Sequence, residues 1–119
     1  MPFILSRVSC PVSKEQEVEL KSRLGRTVAF IPGMSEQFLL AGFQDNWHFY
    51  LRGDDSRPVA YIEVSVFSNE RHRGYDRFSA AVTEIFHAVL GIDPDRVYIK
   101  FSDIQAWAVG GRVFDRNGY

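Results

Sequence analysis

The chain begins Met-Pro, and this pair is the first place in the sequence where catalytic chemistry could arise. If Met1 is removed after synthesis, the nitrogen of Pro2 becomes a secondary amine instead of an amide. In an apolar pocket the protonated form of that amine is disfavoured, because a low dielectric penalises charge. A neutral amine at pH 7 can serve as a general base. Many proteins begin with Met-Pro, so a pocket around Pro2 has to be argued from the rest of the chain.

The other reactive side chains favour structural roles. The three histidines, His48, His72 and His87, lack the spacing of a metal-binding motif, so we expect no metal site. Cys10 is the only cysteine, which excludes a disulfide within the chain. Its position at a strand end favours a small packed hydrophobe over a nucleophile. No glycine-rich phosphate-binding motif occurs, which argues against a nucleotide site.

The composition indicates one globular domain over residues 1–119. Hydrophobic residues make up 45% of the chain, and a net charge of −1 provides no basic field for nucleic acid or an anionic membrane. No apolar run reaches the length of a membrane-spanning helix, and the first residues lack the basic start of a signal peptide. Together with the single cysteine, these features lead us to expect a cytoplasmic protein.

Hydrophobic patterning predicts the order strand, helix, strand twice along the chain. The first helix starts at Ser13, where Gln16 completes a capping box. Its apolar residues recur at helical spacing until Pro32 and Gly33 end it. The predicted helices are 13–31 and 75–90, the predicted strands are 2–9, 37–43, 47–52, 58–67 and 96–101, and 106–114 forms a tail with one or two strands.

The repeat at 2–43 and 58–101 predicts an α/β (α+β) fold. Each helix is long enough for a right-handed crossover between parallel strands, so two β-α-β units form one four-stranded mixed sheet with both helices on one face. The other face is predicted to carry Phe3, Phe38, Leu40, Tyr61 and Val97. Because an apolar face of this size is not stable in water, we expect an obligate oligomer. The alternative is that these side chains fit beneath the two helices.

Two segments carry a resemblance to a known family. They are Met-Pro-Phe-Ile at 1–4 and Asp-Pro-Asp-Arg-Val-Tyr-Ile-Lys-Phe-Ser-Asp at 93–103, continued by Ala-Val-Gly at 108–110. With the repeat between them, the sequence resembles the tautomerase superfamily, in particular the macrophage migration inhibitory factor group. The resemblance implies a homotrimer whose sheets wrap into a central barrel, with active sites at subunit boundaries. It also implies cofactor-independent keto–enol tautomerisation of a small α-keto acid such as phenylpyruvate.

The resemblance assigns roles residue by residue. Pro2 corresponds to the catalytic proline, and Phe67 to a position whose backbone amide binds substrate. Tyr98 corresponds to a pocket tyrosine from a neighbouring subunit, and Phe38 to a second pocket aromatic. The substrate-binding lysine of the family is missing, because its position, just after Gly33, is occupied by Met34. The tryptophan of the cytokine group near the C-terminus is also absent, with glycine at position 111.

Another cation could replace the missing lysine. Lys100 is the best candidate, because it shares a strand face with Tyr98, and it stands where the cytokine group has a substrate-binding asparagine. Arg71 and Arg73 follow the strand that ends at Phe67, in a region where the decarboxylase branch of the superfamily uses arginines. The alternatives are a surface lysine on a strand and two solvated arginines in a loop.

Three functions follow from these residues. The first is a tautomerase in which Pro2 is the general base. The second is a decarboxylase or hydratase-like lyase in which Pro2 stays protonated and polarises a carbonyl or activates water. The third, which Met34 favours, is a cytokine-like binding protein with vestigial activity.

Overall fold

A computed structural model describes residues 1–118 and contains the predicted repeat. Each repeat places one helix between two strands, and a short hairpin follows the second repeat. The elements are β1 (Pro2–Val8), α1 (Lys14–Thr27), β2 (Leu40–Gln44), β3 (Ala60–Phe67), α2 (Tyr75–Leu90), β4 (Val97–Ile104), β5 (Ala106–Val109) and β6 (Arg112–Asp115). Three 3-10 turns lie at Val28–Phe30, Glu36–Phe38 and Pro94–Arg96.

The sheet has the strand order β2-β1-β3-β4. β1 is parallel to β2 and β3 is parallel to β4, so each helix is the crossover of a parallel pair. The two pairs meet through antiparallel β1 and β3, which makes the sheet mixed. β5 and β6 form a separate two-stranded hairpin. The predicted four-stranded mixed sheet is therefore confirmed.

Both helices cover the same face of this sheet. The side chain of Ser13 accepts a hydrogen bond from the Gln16 backbone amide, and the side-chain oxygen of Gln16 accepts one from the Ser13 backbone amide, so the predicted capping box starts α1. α1 ends at Thr27, and the chain continues as a 3-10 turn to Phe30. The core lies between helices and sheet; it contains Ile4, Val8, Ile62, Val64 and Val66 from the strands and Leu20, Leu24, Val28, Ile31, Phe78, Val82, Ile85 and Phe86 from the first and second helical regions.

The predicted strand at 47–52 is wrong. Asn46 has a φ of 58°, which turns the chain back along the end of β1. The amide of Trp47 then donates to the carbonyl of Val8 over 2.9 Å, and the only pairing inside the segment is an isolated bridge between Leu51 and Asp54. The predicted strand at 37–43 begins later than expected. A 3-10 turn occupies Glu36–Phe38, and β2 starts at Leu40.

The uncovered face carries most of the predicted side chains. Register places Phe3 beside Leu40 and Tyr61 beside Tyr98, all pointing away from the helices. Leu40 is 63% exposed and Tyr98 50% exposed. The placement of Val97 on this face is wrong, because side chains alternate along a strand and Val97 therefore packs against the core beneath the helices. No helix among residues 1–118 has the length and apolar character needed to cross a membrane.

Gly74 joins the loop after β3 to α2 and provides a test of the packing. It has a φ of 80°, and a Cβ atom at this position would overlap the carbonyl oxygen of Phe30. We expect Gly74→Ala to lower the free energy of unfolding by at least about 3 kcal/mol, from backbone strain plus displacement of the 3-10 turn.

Gly53→Ala is the matched control, because Gly53 has a φ of 77° but no atom within 4 Å of the added Cβ. Its cost should be limited to about 1–2 kcal/mol of backbone strain. Urea unfolding measures both variants. Equal losses would show that the close approach of Gly74 to Phe30 contributes nothing.

Candidate active site

Pro2 lies at the first position of β1 and is buried. β1 is a central strand: Pro2 pairs with Val66 of β3, and the next residue, Phe3, pairs with Leu40 of β2. The carbonyl of Met1 accepts a hydrogen bond from the amide of Phe67 over 3.3 Å. The start of the chain is therefore fixed at the middle of the sheet.

A cleft of about 330 Å³ opens beside Pro2. The turn before β2 forms one wall, and β5 forms the other. None of the side chains lining this cleft is ionisable, and Gln37 contributes the only polar one. The lining residues are Met1, Pro2, Gln37, Phe38, Leu39, Leu40, Trp107 and Val109. The structure thus brings Pro2 and Phe38 into one apolar cleft.

Met34 also lies beside the start of the chain. Its Sδ atom accepts a hydrogen bond from the Met1 α-ammonium over 3.1 Å. A thioether carries no charge and is a weak acceptor, so Met34 cannot hold a carboxylate as a lysine does. Burial lowers the pKa of the Met1 α-ammonium, because desolvation disfavours its charged form.

Met1 occupies the two groups to which the family resemblance assigns roles, the nitrogen of Pro2 and the amide of Phe67. With Met1 present, the nitrogen of Pro2 is an amide and the Phe67 N–H is already bonded to the Met1 carbonyl. Removal of Met1 would convert the nitrogen of Pro2 into an amine and would free the N–H group of Phe67. The two groups come from neighbouring strands, so they would face the same small volume.

Tyr98 and Lys100 are not part of this cleft within one chain. In the sheet register, Lys100 of β4 lies beside Glu63 of β3, and Glu63 lies beside Leu5 of β1. Lys100 is therefore two strands away from β1 and three residues farther along than Pro2. Strand spacing puts the two Cα atoms roughly 14 Å apart. Tyr98 instead lines a separate apolar slot of about 210 Å³ with Phe49, Tyr50, Leu51, Val59 and Tyr61.

Lys100 is a weakly paired cation. Its Nζ atom lies 3.9 Å from Oε2 of Glu63, and its side chain is 58% exposed. The other carboxylate oxygen of Glu63 is in close contact with Arg7, which neutralises it. Lys100 therefore retains most of its capacity to attract an anion.

Arg71 and Arg73 lie in the loop between β3 and α2, which begins directly after Phe67. Both are exposed, and neither forms an ion pair with any carboxylate in the part of the chain that the structure describes. They line a polar cleft of about 320 Å³ with Ser68, Asn69 and Glu70. This second cleft is distinct from the apolar one, but it adjoins the strand end where Phe67 meets Met1.

Two further predictions concern reactive groups. Over residues 1–118, no three His, Cys, Asp or Glu side chains lie together as metal ligands would. Cys10 is half-buried, and burial raises the pKa of its thiol, which favours the uncharged form over the nucleophilic thiolate.

Sequence reasoning missed Trp107. It predicted a short tail of strands, but not that the tail folds back so that Trp107 and Val109 line the cleft of Pro2. The two residues are separated by one position in β5, so they share a strand face. That spacing of large apolar residues was the available signal.

The two-repeat β-α-β sheet with a cleft at Pro2 defines a class of protein, and sequence comparison identifies that class. The sequence profile of the macrophage migration inhibitory factor family matches residues 1–114, so the chain belongs to this family. This confirms the resemblance to the tautomerase superfamily. Among curated proteins, no sequence matches this chain significantly.

Solved structures share the fold. Leishmania major MIF2 superposes with a TM-score of 0.86 at 20% identity, over 96% of this chain and 97% of that one. A migration inhibitory factor homologue from Prochlorococcus marinus gives 0.80 at 23% identity, over 94% and 98%. A fused wild-type 4-OT protein described as an asymmetric trimer gives 0.78 at 15% identity, over 92% and 94%.

Proposed function

We propose that this protein is a cofactor-independent isomerase, a keto–enol tautomerase that acts through Pro2 on a small α-keto acid such as phenylpyruvate. The observation that carries the proposal is the position of Pro2, buried at the start of a central strand and open to an apolar cleft. Family membership supports the same reaction class.

The reaction needs one base and one hydrogen-bond donor. The neutral Pro2 nitrogen takes a proton from the carbon next to the carbonyl, and the electrons of that C–H bond form the C=C bond of the enol. The carbonyl oxygen gains negative charge, accepts a hydrogen bond from the Phe67 amide and then takes up the proton that Pro2 removed, which returns Pro2 to its neutral form. Phe38 packs on the apolar part of the substrate.

The substrate carboxylate requires a cation outside the apolar cleft. The first candidate source is the Arg71 and Arg73 loop of the same chain, which adjoins Phe67. The second is Lys100 of a neighbouring subunit, accompanied by Tyr98 on the same strand face. Both sources hold arginine or lysine side chains that are not fully neutralised by carboxylates.

We propose a homotrimer with these sites at the subunit boundaries. The uncovered sheet face has exposed apolar side chains near both of its edges, Leu40 in β2 and Tyr98 in β4. Contact between two different edges is heterologous, and a heterologous contact forms a ring when its rotation closes. The trimeric state of the 4-OT structure with the same fold supports a ring of three. A cytoplasmic location is part of the proposal and is supported by the single cysteine, Cys10.

The assembly has a direct test. Light scattering should give about three times the chain mass of 13.7 kDa. Leu40→Glu should reduce this to the monomer mass, because the uncovered face would then have to bury a charge. Val18→Glu is the control, since Val18 is exposed on α1 outside the sheet face and its replacement should leave the mass unchanged. A monomeric native chain would refute the trimer.

The role of Pro2 is tested on chains whose N-terminus is verified by intact mass. The chain without Met1 should tautomerise phenylpyruvate, and Pro2→Ala should lower kcat/KM about 10²–10⁴-fold, the usual contribution of a positioned base. A chain that retains Met1 should show an equal loss of kcat/KM. Its Pro2 nitrogen is an amide, which is not basic, and the carbonyl of Met1 already accepts the hydrogen bond of the Phe67 amide.

Pro11→Ala provides the matched control for the Pro2 substitution. Pro11 is an exposed proline beyond the end of β1, and its replacement should change the rate less than twofold. Equal rates for Pro2→Ala and the native processed chain would exclude Pro2 as the base.

A lyase with protonated Pro2 is the second candidate, favoured by the two arginines beside Phe67. The pH dependence of kcat/KM separates the two. A base acts when deprotonated, so tautomerase activity should rise as pH increases through the Pro2 pKa. Burial lowers the pKa of the Met1 α-ammonium, and the same desolvation would lower the pKa of a Pro2 ammonium, so we expect the midpoint to lie below that of an N-terminal proline in a free peptide.

Activity that falls over the same pH range would favour the lyase, in which protonated Pro2 is the active form. A chain that lacks Met1 and catalyses neither reaction would support the third candidate, a binding protein, which Met34 favours.

A further inference from the structure

Asp103, near the end of β4, holds the start of the loop between β3 and α2, residues 68–74, which carries Arg71 and Arg73 and is called the arginine loop below. Its Oδ1 atom accepts a hydrogen bond from the backbone amide of Asn69 over 2.8 Å. Its Oδ2 atom accepts one from Nη1 of Arg116, also over 2.8 Å. One carboxylate therefore connects β4, the loop after β3 and the chain that leaves β6.

Arg116 completes this connection. Its amide donates to the carbonyl of Gln105, which closes the base of the β5–β6 hairpin, and its Nε atom lies 3.8 Å from Oε1 of Glu70. The side chains of Arg116 and Asp103 are only 25% and 21% exposed, so solvent screens their attraction less than that of a surface pair. Arg116 thus contacts the loop on the residue that precedes Arg71.

The loop needs such contacts because its backbone is unfavourable. Ser68 and His72 have φ values of 56° and 55°, in the left-handed region that side-chain-bearing residues rarely adopt. The side chain of Asn69 donates to the carbonyl of Arg73 over 3.1 Å, which closes the loop on itself. Without contacts from outside the loop, the backbone of Ser68 and His72 would relax and both arginines would move.

We propose that Asp103 and Arg116 are positioning residues, which hold Arg71 and Arg73 where they bind the anionic end of the substrate. The inference rests on the proposed function and deepens it, because it assigns the carboxylate anchor to the same chain as Pro2. The two residues act through the loop and touch no substrate themselves. Their effect is therefore confined to ligands that carry an anionic group.

The probes are 3-phenylpropionate and its methyl ester, which match in shape and differ in charge. Neither has a ketone that can enolise, so binding is measured without reaction. Trp107 lies in the apolar cleft and reports binding by its fluorescence. The background chain lacks Met1 and carries Trp47→Phe, which leaves Trp107 as the only tryptophan.

Asp103→Asn keeps an acceptor for Asn69 and removes the charge that holds Arg116. We expect the Kd of 3-phenylpropionate to rise about tenfold, and the Kd of the ester to change less than twofold. Asp93→Asn is the matched control, because it breaks the 3.0 Å ion pair with Arg57 before the start of β4 and should change neither Kd. Equal weakening of acid and ester by Asp103→Asn, or no weakening of the acid, would overturn the proposal.

Two further variants keep the test decisive if Asp103→Asn does not fold. Arg116→Gln leaves the Asp103–Asn69 bond in place and should weaken only the acid. In a chain with Arg71→Ala and Arg73→Ala, acid binding should already be weak, and adding Arg116→Gln should cost less than twofold more. An additive loss would show that Arg116 acts by a route other than the two arginines.

The failures of the two proposals are distinguishable. A native processed chain that binds 3-phenylpropionate in the charge-dependent way described, but does not tautomerise phenylpyruvate, would refute the tautomerase and leave the positioning role intact. In the opposite case, the native chain is active, and Asp103→Asn raises the KM for phenylpyruvate no more than Asp93→Asn does. That result would retain the tautomerase and overturn the positioning role.

Discussion

The pairing of β1 with strands on both sides is the interaction on which the rest of the structure depends. Chain ends usually fray, because few contacts hold them. Here the first strand is central, with β2 parallel on one side and β3 antiparallel on the other. The burial of Ile4 and Val8 beneath the helices fixes its depth as well as its register. The nitrogen of Pro2, at the first position of this strand, is consequently held at the middle of the sheet.

Around the nitrogen of Pro2, the apolar side chains and the cationic side chains lie in different places. The cleft beside Pro2 has walls from Phe38 and Trp107, and the Met1 that lines it contacts the thioether of Met34. Cations stand outside it, in the loop after β3 and on β4. An apolar environment keeps an amine neutral but cannot bind an anion. A lysine beside the amine would favour the neutral amine and would also bind the anion. In our proposal the two tasks fall to different segments of the chain.

Local patterns predicted the elements well and the contacts between distant segments poorly. Helical spacing of Leu20 and Leu24 and the capping box at Ser13 are short-range signals, and the structure confirms both. The segment 47–52 has the composition of a strand but no neighbouring strand to pair with, which no local pattern reveals. The placement of Trp107 beside Pro2 depends on how the C-terminal hairpin folds back. The roles of Lys100, Arg71 and Arg73 stay predictions, because they depend on ligands and neighbouring subunits.

The contacts of Met1 also limit when it can be removed. In the folded chain its nitrogen is held by Met34 and its carbonyl by Phe67, so a peptidase would have to displace both before it could reach the bond to Pro2. The second of these contacts cannot form until Phe67 has been synthesised. At roughly 5–20 residues per second, synthesis through Phe67 takes about 3–13 s, and Met1 stays accessible for at least that long. Processing that acts during translation would therefore reach Met1 before the sheet closes over it.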